Sequence, residues 1–592
     1  MRAIINFTIS PYGKTIAYVT NTDGFPNIWT ISINGGWAKQ ITIGKNVIRS
    51  LKFSPNGKKI LFDSDINGDE QFQLYMIDAD GGEPKCLTPQ HKSGEVSFVK
   101  FNKKGNKIFY STNSKDSRFF ESFSLELSTM NETLLYKSES IHVEQLIDVS
   151  NDEKKILLLQ YFSNSDQDII LYDLETKKKI IITEHGEVPM KNFGAEFNKK
   201  GDTVYFISDY EREFAGLAYY KIKSQEIGWH KLEKWDIRGF SLSKNEKYLS
   251  YAINENGATK IKLHNTKKDK TKTLKLPKGN VVTYHFSPDE SKIILLCDTP
   301  QNPNDIYVYD IKKDKMKQIT FSMIGGIKKK YFVVPNQIQY KSFDGLEINA
   351  MLYIPSWMKK DGTNPAMVWP HGGPEHQEKV LFNKYLQILL NRGYIVIAPN
   401  FRGSTGYGKT FQQMIYKDWG GGEYKDVLKA YDYLIDSGYV DKNKIGVIGG
   451  SFGGFMTLTC VTQSPELWRC AVDIFGPSNL ISFLDTVPEY WKPGTIALVG
   501  DSVKDKDMLI ERSPITHVDK IQCPICIIQG ANDPRVVKAE SDQIAERLRA
   551  SGKEVEYKVY DDEGHGFSKV NNAIDVWERI SSFLDKHMKT NG

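Results

Sequence analysis

From Met1 to about Met323 apolar and polar residues alternate in short runs, and the runs recur as one phrase. A turn such as Ser10-Pro11-Tyr12-Gly13 follows an apolar residue and opens an alternating run. The phrase returns at Ser54–Gly57, Asn102–Gly105, Ser150–Glu153, Asn198–Gly201, Ser243–Glu246 and Ser287–Glu290, at spacings of 44 to 48 residues. Behind each turn comes a run such as Lys59-Ile60-Leu61-Phe62, then one such as Gln73-Leu74-Tyr75-Met76-Ile77-Asp78, then a short closing run such as Lys39-Gln40-Ile41-Thr42. A period of two puts successive side chains on opposite faces, so each unit reads as four short strands. Such a unit cannot bury its faces alone, and seven of them stacked around an axis predict a seven-bladed β-propeller over residues 1–323.

The pattern changes after the connector Ile324–Lys330. Residues Gln337–Tyr353 read as a pair of strands. Strand-like Ala366–Trp369 precedes helical Lys379–Asn391, and strand-like Tyr394–Ala398 precedes helical Gly422–Ser437. The apolar runs Lys444–Ile448, Cys470–Phe475, Pro524–Gln529 and Val555–Tyr560 continue the series, with helical patterns at Lys538–Ala550 and Asn572–Lys586. Alternation of this kind predicts a mostly parallel sheet covered on both faces over residues 324–592.

One stretch gives that sheet a chemistry. Gly449-Gly450-Ser451-Phe452-Gly453 lies between a strand and a helix-like segment, the arrangement of a nucleophile elbow, so the fold expected is an α/β-hydrolase. The tight turn exposes the Ser451 hydroxyl, and glycines keep Cβ atoms away from the strained backbone. In this fold an acid and then a histidine follow the serine on later strand ends. Asp533, in Gly530-Ala531-Asn532-Asp533-Pro534-Arg535, and His565, in Glu563-Gly564-His565-Gly566-Phe567, occupy those places. Asp561, Asp562 and Glu563 are rival acids too close in sequence to His565, and the expectation is that they are solvated. The backbone N–H of Phe452 is one oxyanion donor, and His371-Gly372-Gly373-Pro374, directly after an early strand, stands where the fold supplies another. His371 reads as shaping that loop, and Ser404, outside any Gly-x-Ser-x-Gly spacing, is set aside.

Composition narrows the classes. Basic and acidic residues number 78 and 73, a near balance without a basic stripe for nucleic acid. Six scattered cysteines form no disulfide framework and suit a reducing cytoplasm. Cys523-Pro524-Ile525-Cys526 has metal-site spacing but no second pair or histidine cluster, so it reads as structural. No signal-peptide pattern opens the chain and no apolar run reaches membrane length. No metal or organic cofactor is implied.

The propeller repeats followed by His-Gly-Gly-Pro, Gly-Gly-Ser-Phe-Gly-Gly, Asn-Asp-Pro-Arg-Val-Val and Gly-His-Gly-Phe resemble the prolyl oligopeptidase family of serine peptidases, and most of all its acylaminoacyl-peptidase branch. The resemblance implies Gly373 N–H as the second oxyanion donor, Arg535 as the group that binds a substrate carbonyl just upstream of the scissile residue, and Val536 as part of an apolar specificity pocket, with Tyr490 or Trp491 beside it. Dipeptidyl peptidases of the family carry a Glu pair that captures a free amine. This chain has no Glu-Glu, and Glu211 with Glu213 matches only loosely. Related acylaminoacyl peptidases carry an N-terminal helix ahead of the propeller, and since the first blade begins almost at Met1 here, the expectation is that this brace is missing. The expected function is a cytoplasmic serine peptidase that acts on short peptides through an acyl-enzyme, releasing N-acylated amino acids or cutting after an apolar residue, with the propeller restricting access. A carboxylesterase or a dipeptidyl aminopeptidase on the same scaffold is the alternative, and a homo-oligomer is left open.

Overall fold

The structure is a computed structural model that describes residues 3–138, 140 and 142–589. It divides into two compact units. The first comprises Met1–Ile66, Glu70–Asp298 and Asn304–Ile324, and the second Asn67–Asp69, Thr299–Pro303 and Gly325–Gly592.

The first unit holds seven four-stranded antiparallel sheets, each built from strands consecutive in the chain. They are the seven blades that the repeats predict. In every blade the turn after the first strand closes when its fourth residue donates N–H to the carbonyl of its first, at 2.7–3.0 Å. That fourth residue always has a positive φ, between 56° and 73°. Gly13, Gly57, Gly105 and Gly201 adopt this backbone without steric cost. Glu153, Glu246 and Glu290 do not, and each carboxylate reaches back to the turn of the preceding blade. Glu153 accepts from Asn102 Nδ2 and Lys107 Nζ, both at 3.0 Å. Glu246 accepts from Lys199 N–H, and Glu290 from Ser243 Oγ and Asn245 N–H, both at 2.6 Å. Glycine's freedom is thus exchanged for a staple between blades.

A second device recurs in four blades. Thr42, Thr88, Thr183 and Thr320 follow the outermost strand, and each hydroxyl donates to a side chain on the third strand (Asn27, Gln73, Asp168 and Asp305) at 2.7–3.0 Å. Each also accepts the next backbone N–H, from Ile28, Leu74, Ile169 and Ile306, at 2.8–3.1 Å. All four threonines are buried, so the clasp satisfies polar groups that burial would otherwise leave costly.

The second unit is organised on one eight-stranded sheet. Its strands are β1 Asn336–Lys341, β2 Glu347–Tyr353, β3 Asn364–Val368, β4 Ile395–Asn400, β5 Val440–Gly450, β6 Ala471–Ile474, β7 Ile525–Gly530 and β8 Val555–Tyr560. They lie in the order β1-β2-β4-β3-β5-β6-β7-β8, antiparallel for the first three and parallel thereafter. Helices α1 Lys384–Asn391, α2 Gly422–Asp436, α3 Phe452–Gln463, α4 Lys538–Ala550 and α5 Val570–Met588 connect or flank the strands. β4, β6 and β7 are buried at every residue, as strands covered on both faces must be. α3 is buried at every residue but its last, Gln463, and forms the centre of the unit. This is the α/β-hydrolase arrangement. Three short helices between β6 and β7, Leu480–Thr486, Lys492–Val499 and Lys506–Arg512, are not signalled by hydropathy, because one or two turns are too short to display a period. Among the described residues no helix is long and apolar enough to cross a membrane.

Candidate active site

The turn from β5 into α3 has Ser451 at φ 58° and ψ −123°, a strained conformation for a residue with a side chain. It is held by Ser451 N–H donating to Ile474 O at 2.9 Å, on β6, and by Gly454 and Phe455 N–H donating to Ser451 O. The glycines are sterically required. A Cβ on Gly449 would sit 2.3 Å from Gly453 O, one on Gly453 would sit 2.3 Å from Pro370 O, and one on Gly454 would sit 2.4 Å from Asp473 Oδ1. Ser451 itself is partly open to solvent.

Asp533 follows β7 and His565 follows β8, so the residues predicted from chain order stand at the C-terminal ends of parallel strands. His565 Nδ1 donates to Asp533 Oδ2 at 2.6 Å. The other oxygen, Oδ1, accepts from Arg535 N–H at 2.9 Å and Val536 N–H at 3.0 Å. Three bonds fix a fully buried carboxylate, and the carboxylate fixes the tautomer that leaves Nε2 able to take a proton. Sequence reasoning missed Phe475. It directly follows β6 in a left-handed backbone, φ 44°, and its ring centre lies 4.5 Å from that of His565. One residue earlier, Ile474 carries the carbonyl that holds Ser451 N–H, so the end of β6 contacts both the serine turn and the histidine.

Phe452 is the first residue of α3, where backbone N–H groups have no acceptor within the helix. The loop after β3 comes alongside, since a Cβ on Gly372 would meet Gly450 O at 3.0 Å and Ser451 Cβ at 3.5 Å. Gly373, next in the chain, has φ 132°. His371 is buried in this loop, its Nδ1 donating to Gly372 O at 2.8 Å and its Nε2 lying 2.8 Å from Ser404 Oγ. Burial pushes the imidazole down to about 3, so it stays neutral, and Ser404 is also buried against Phe401 O at 2.6 Å. This Ser–His contact therefore shapes the loop. The Arg535 guanidinium lies over the Trp491 ring, 5.6 Å from its centre, and Val536 is buried in the apolar core of the unit.

One expectation is corrected. Asp561 and Asp562 are exposed, but Glu563 is buried, accepting Ser568 N–H, Ser568 Oγ and Lys569 N–H, each at 3.0 Å, beside the start of α5. A carboxylate at a helix N-terminus is stabilised by the free N–H groups there, which anchors the chain just beyond His565. Cys523 and Cys526 are buried thiols that burial pushes up to about 12. Among the described residues no group of three or more His, Cys, Asp or Glu is placed to hold a metal.

Asp473, on β6 below the serine turn, is fully buried, and among the described residues it has only Gly476 N–H on Oδ1, at 2.9 Å, and no partner on Oδ2. Burial pushes its carboxyl up to about 8. A folded-state value above the ordinary 3.8 means that the native protein binds this proton more tightly than the unfolded chain. The stability so contributed is complete at low pH and is lost as pH rises toward about 8. Asp473→Asn is expected to melt with the parent near pH 4 and above it near pH 8. Parallel melting curves across that range would show that the carboxyl is not held neutral.

Two family models match the chain: the prolyl oligopeptidase N-terminal β-propeller domain over residues 42–322, and the prolyl oligopeptidase family over residues 381–591. Dipeptidyl aminopeptidase BIII of Pseudoxanthomonas mexicana is 30% identical, across 96% of this chain and 84% of its own. Acylamino-acid-releasing enzyme 1 of Oryza sativa subsp. japonica is 31% identical, across 42% of this chain and 33% of its own. The solved structure of a Mycobacterium tuberculosis puromycin-hydrolyzing peptidase shares the fold, with a TM-score of 0.85 at 17% identity over 99% of this chain and 95% of its own.

Proposed function

The chain belongs to the prolyl oligopeptidase family of serine peptidases, and from that premise we propose that it releases dipeptides from the free N-termini of short peptides. The observation that carries this reading is the similarity to a relative named as a dipeptidyl aminopeptidase over nearly the whole chain. In the proposed mechanism Ser451 Oγ attacks the scissile carbonyl while His565 Nε2 takes its proton. Asp533 stabilises the imidazolium through the Nδ1 bond. The N–H groups of Phe452 and Gly373 receive the negative charge that develops on the carbonyl oxygen. His565 then gives its proton to the leaving amine; in the second half it takes a proton from water, whose oxygen attacks the acyl carbon, and returns that proton to Ser451 Oγ as the acyl bond breaks.

A second reading is an acylaminoacyl peptidase. It is favoured by the His371–Pro374 loop and by the similarity of the hydrolase half to an acylamino-acid-releasing enzyme. A matched pair decides between them: kcat/KM for alanyl-alanyl p-nitroanilide against N-acetyl-alanyl p-nitroanilide, with a p-nitrophenyl ester as control. Preference for the free dipeptide supports the first reading, and preference for the acetylated amide replaces it with the second. Ester turnover without cleavage of either amide would overturn both.

Arg535 takes the role of a carbonyl-binding donor on the same proposal, with Trp491 supporting its guanidinium. A hydrogen bond from a charged donor is worth about 1.5–3 kcal/mol, so Arg535→Ala is expected to lower kcat/KM for peptides by about ten- to a hundredfold. The small ester, which offers no upstream carbonyl, should lose much less. Equal losses on the two substrates would remove Arg535 from substrate recognition.

A further inference from the structure

A bulky residue rarely accepts a left-handed backbone, and where one does its surroundings impose it. Phe475, at φ 44°, is such a residue. The chain around it is clamped. The peptide group between Ile474 and Phe475 accepts Ser451 N–H on its carbonyl at 2.9 Å and donates its own N–H to Ile528 O, on β7, at 2.8 Å. One peptide group thus ties the serine turn to the strand that leads into Asp533. The next residue, Gly476, donates N–H to Asp473 Oδ1 at 2.9 Å and lies so close to α3 that a Cβ on it would sit 2.4 Å from the Gly454 carbonyl carbon.

The ring carried by this backbone lies against the site. A Cβ built on Gly450, the residue before Ser451, would meet Phe475 Cε2 at 3.4 Å, and the His565 imidazole lies 4.5 Å from the Phe475 ring, centre to centre, with the planes inclined by 44°. Phe567 is 5.9 Å from Phe475, and Tyr560, the last residue of β8, is 5.3 Å from Phe567. Aromatic side chains from the end of β8 and the loop that carries His565 therefore back the ring. An apolar side chain that only filled space would be carried as well by an extended backbone, without the strain.

A single hydrogen bond does not hold a flat ring. The bond from Nδ1 to Asp533 fixes one atom of the imidazole and its tautomer, but the ring can still turn about that bond. A contact off the axis of the bond is needed to hold the plane, and the Phe475 ring supplies one. We propose that Phe475 is a positioning residue for His565, the wall that keeps Nε2 turned toward Ser451 Oγ and the leaving amine. That role rests on the acyl-enzyme mechanism proposed above and is the same for either peptide specificity. Phe475 exchanges no proton and forms no bond in that mechanism, so its whole effect passes through the imidazole.

The test is the rate at which diisopropyl fluorophosphate labels Ser451 in the full chain, a reaction that needs His565 as base but no particular peptide. Phe475→Gly removes the ring and suits the left-handed backbone, so the fold should be kept. A misplacement of about 1 Å costs about a hundredfold, and labelling is expected to slow by about ten- to a hundredfold. For whichever p-nitroanilide the parent cleaves, kcat should fall by a similar factor while KM stays near that of the parent. Phe475→Leu, which keeps apolar bulk without a flat face, should be slowed less, and it carries the test if the glycine variant melts below the assay temperature. In a His565→Ala background Phe475→Gly should add nothing to the loss, because residues that act as a unit are not additive. A general weakening of the fold would lower the rate again in that background. Labelling of the folded variants at the parent rate, or an added loss in the His565→Ala background, would overturn this role. A parent that is not labelled at Ser451 would instead overturn the mechanism beneath it.

Discussion

Ser451→Ala is expected to lower kcat by about a millionfold, the scale seen when a serine nucleophile is removed from an intact site. The substitution keeps the Cβ, so the backbone at φ 58° is no more strained than before, and the bonds from Ser451 N–H and to Ser451 O survive. The melting temperature should therefore stay that of the parent. What is lost is the one atom that forms the acyl bond in the proposed mechanism. Residual turnover of about a thousandfold over the uncatalysed reaction is compatible with oxyanion stabilisation alone. Activity within tenfold of the parent in a purified sample would disprove the proposed nucleophile, and a large fall in melting temperature would show that the hydroxyl has a structural role.

Gly453→Ala should be among the most damaging single methyl groups in the second unit. The residue sits in the first turn of α3, and its new Cβ would lie 2.3 Å from Pro370 O and 3.2 Å from the carbonyl carbons of Pro370 and His371. Backbone occupies that space, so either the helix end or the loop carrying Gly372 and Gly373 must shift. Overpacking of this kind costs about 1–3 kcal/mol or more. If the N–H groups there are the oxyanion donors proposed above, displacing one is expected to cost about a hundred- to a thousandfold in kcat. Gly450→Ala is the control: its Cβ would meet nothing closer than 3.4 Å and its φ is not positive, so stability and rate should change little. If Gly453→Ala matched the control in both measurements, the close packing of α3 against the loop would be refuted.

Much of this architecture is written locally and is therefore legible in the chain. The propeller repeats show because each blade uses the same turn at nearly the same interval, and the sheet of the second unit shows because fully buried strands are continuous apolar runs between helical patterns. Ser451, Asp533 and His565 could be placed because the fold restricts each to a strand end. Phe475 left no such mark, being one apolar residue at the end of an apolar run whose importance depends on the strands beside it. Glu563 was misread because three consecutive acids look solvated in sequence, and only the start of α5 distinguishes the one turned inward. The threonine clasps escaped notice for a related reason, since their partners lie 15 residues upstream and belong to three residue types.

The three glutamates that replace glycine in the blade turns give the propeller something that repetition alone does not provide. A glycine turn fits any neighbour, whereas Glu153, Glu246 and Glu290 each recognise a particular turn on the blade before them. Those blades carry an address. Identical modules joined by a chain are ordered only by the chain, and a misplaced module would find an equally good seat. Here three of the junctions discriminate, so the sequence of blades is specified by their surfaces as well as by their covalent order.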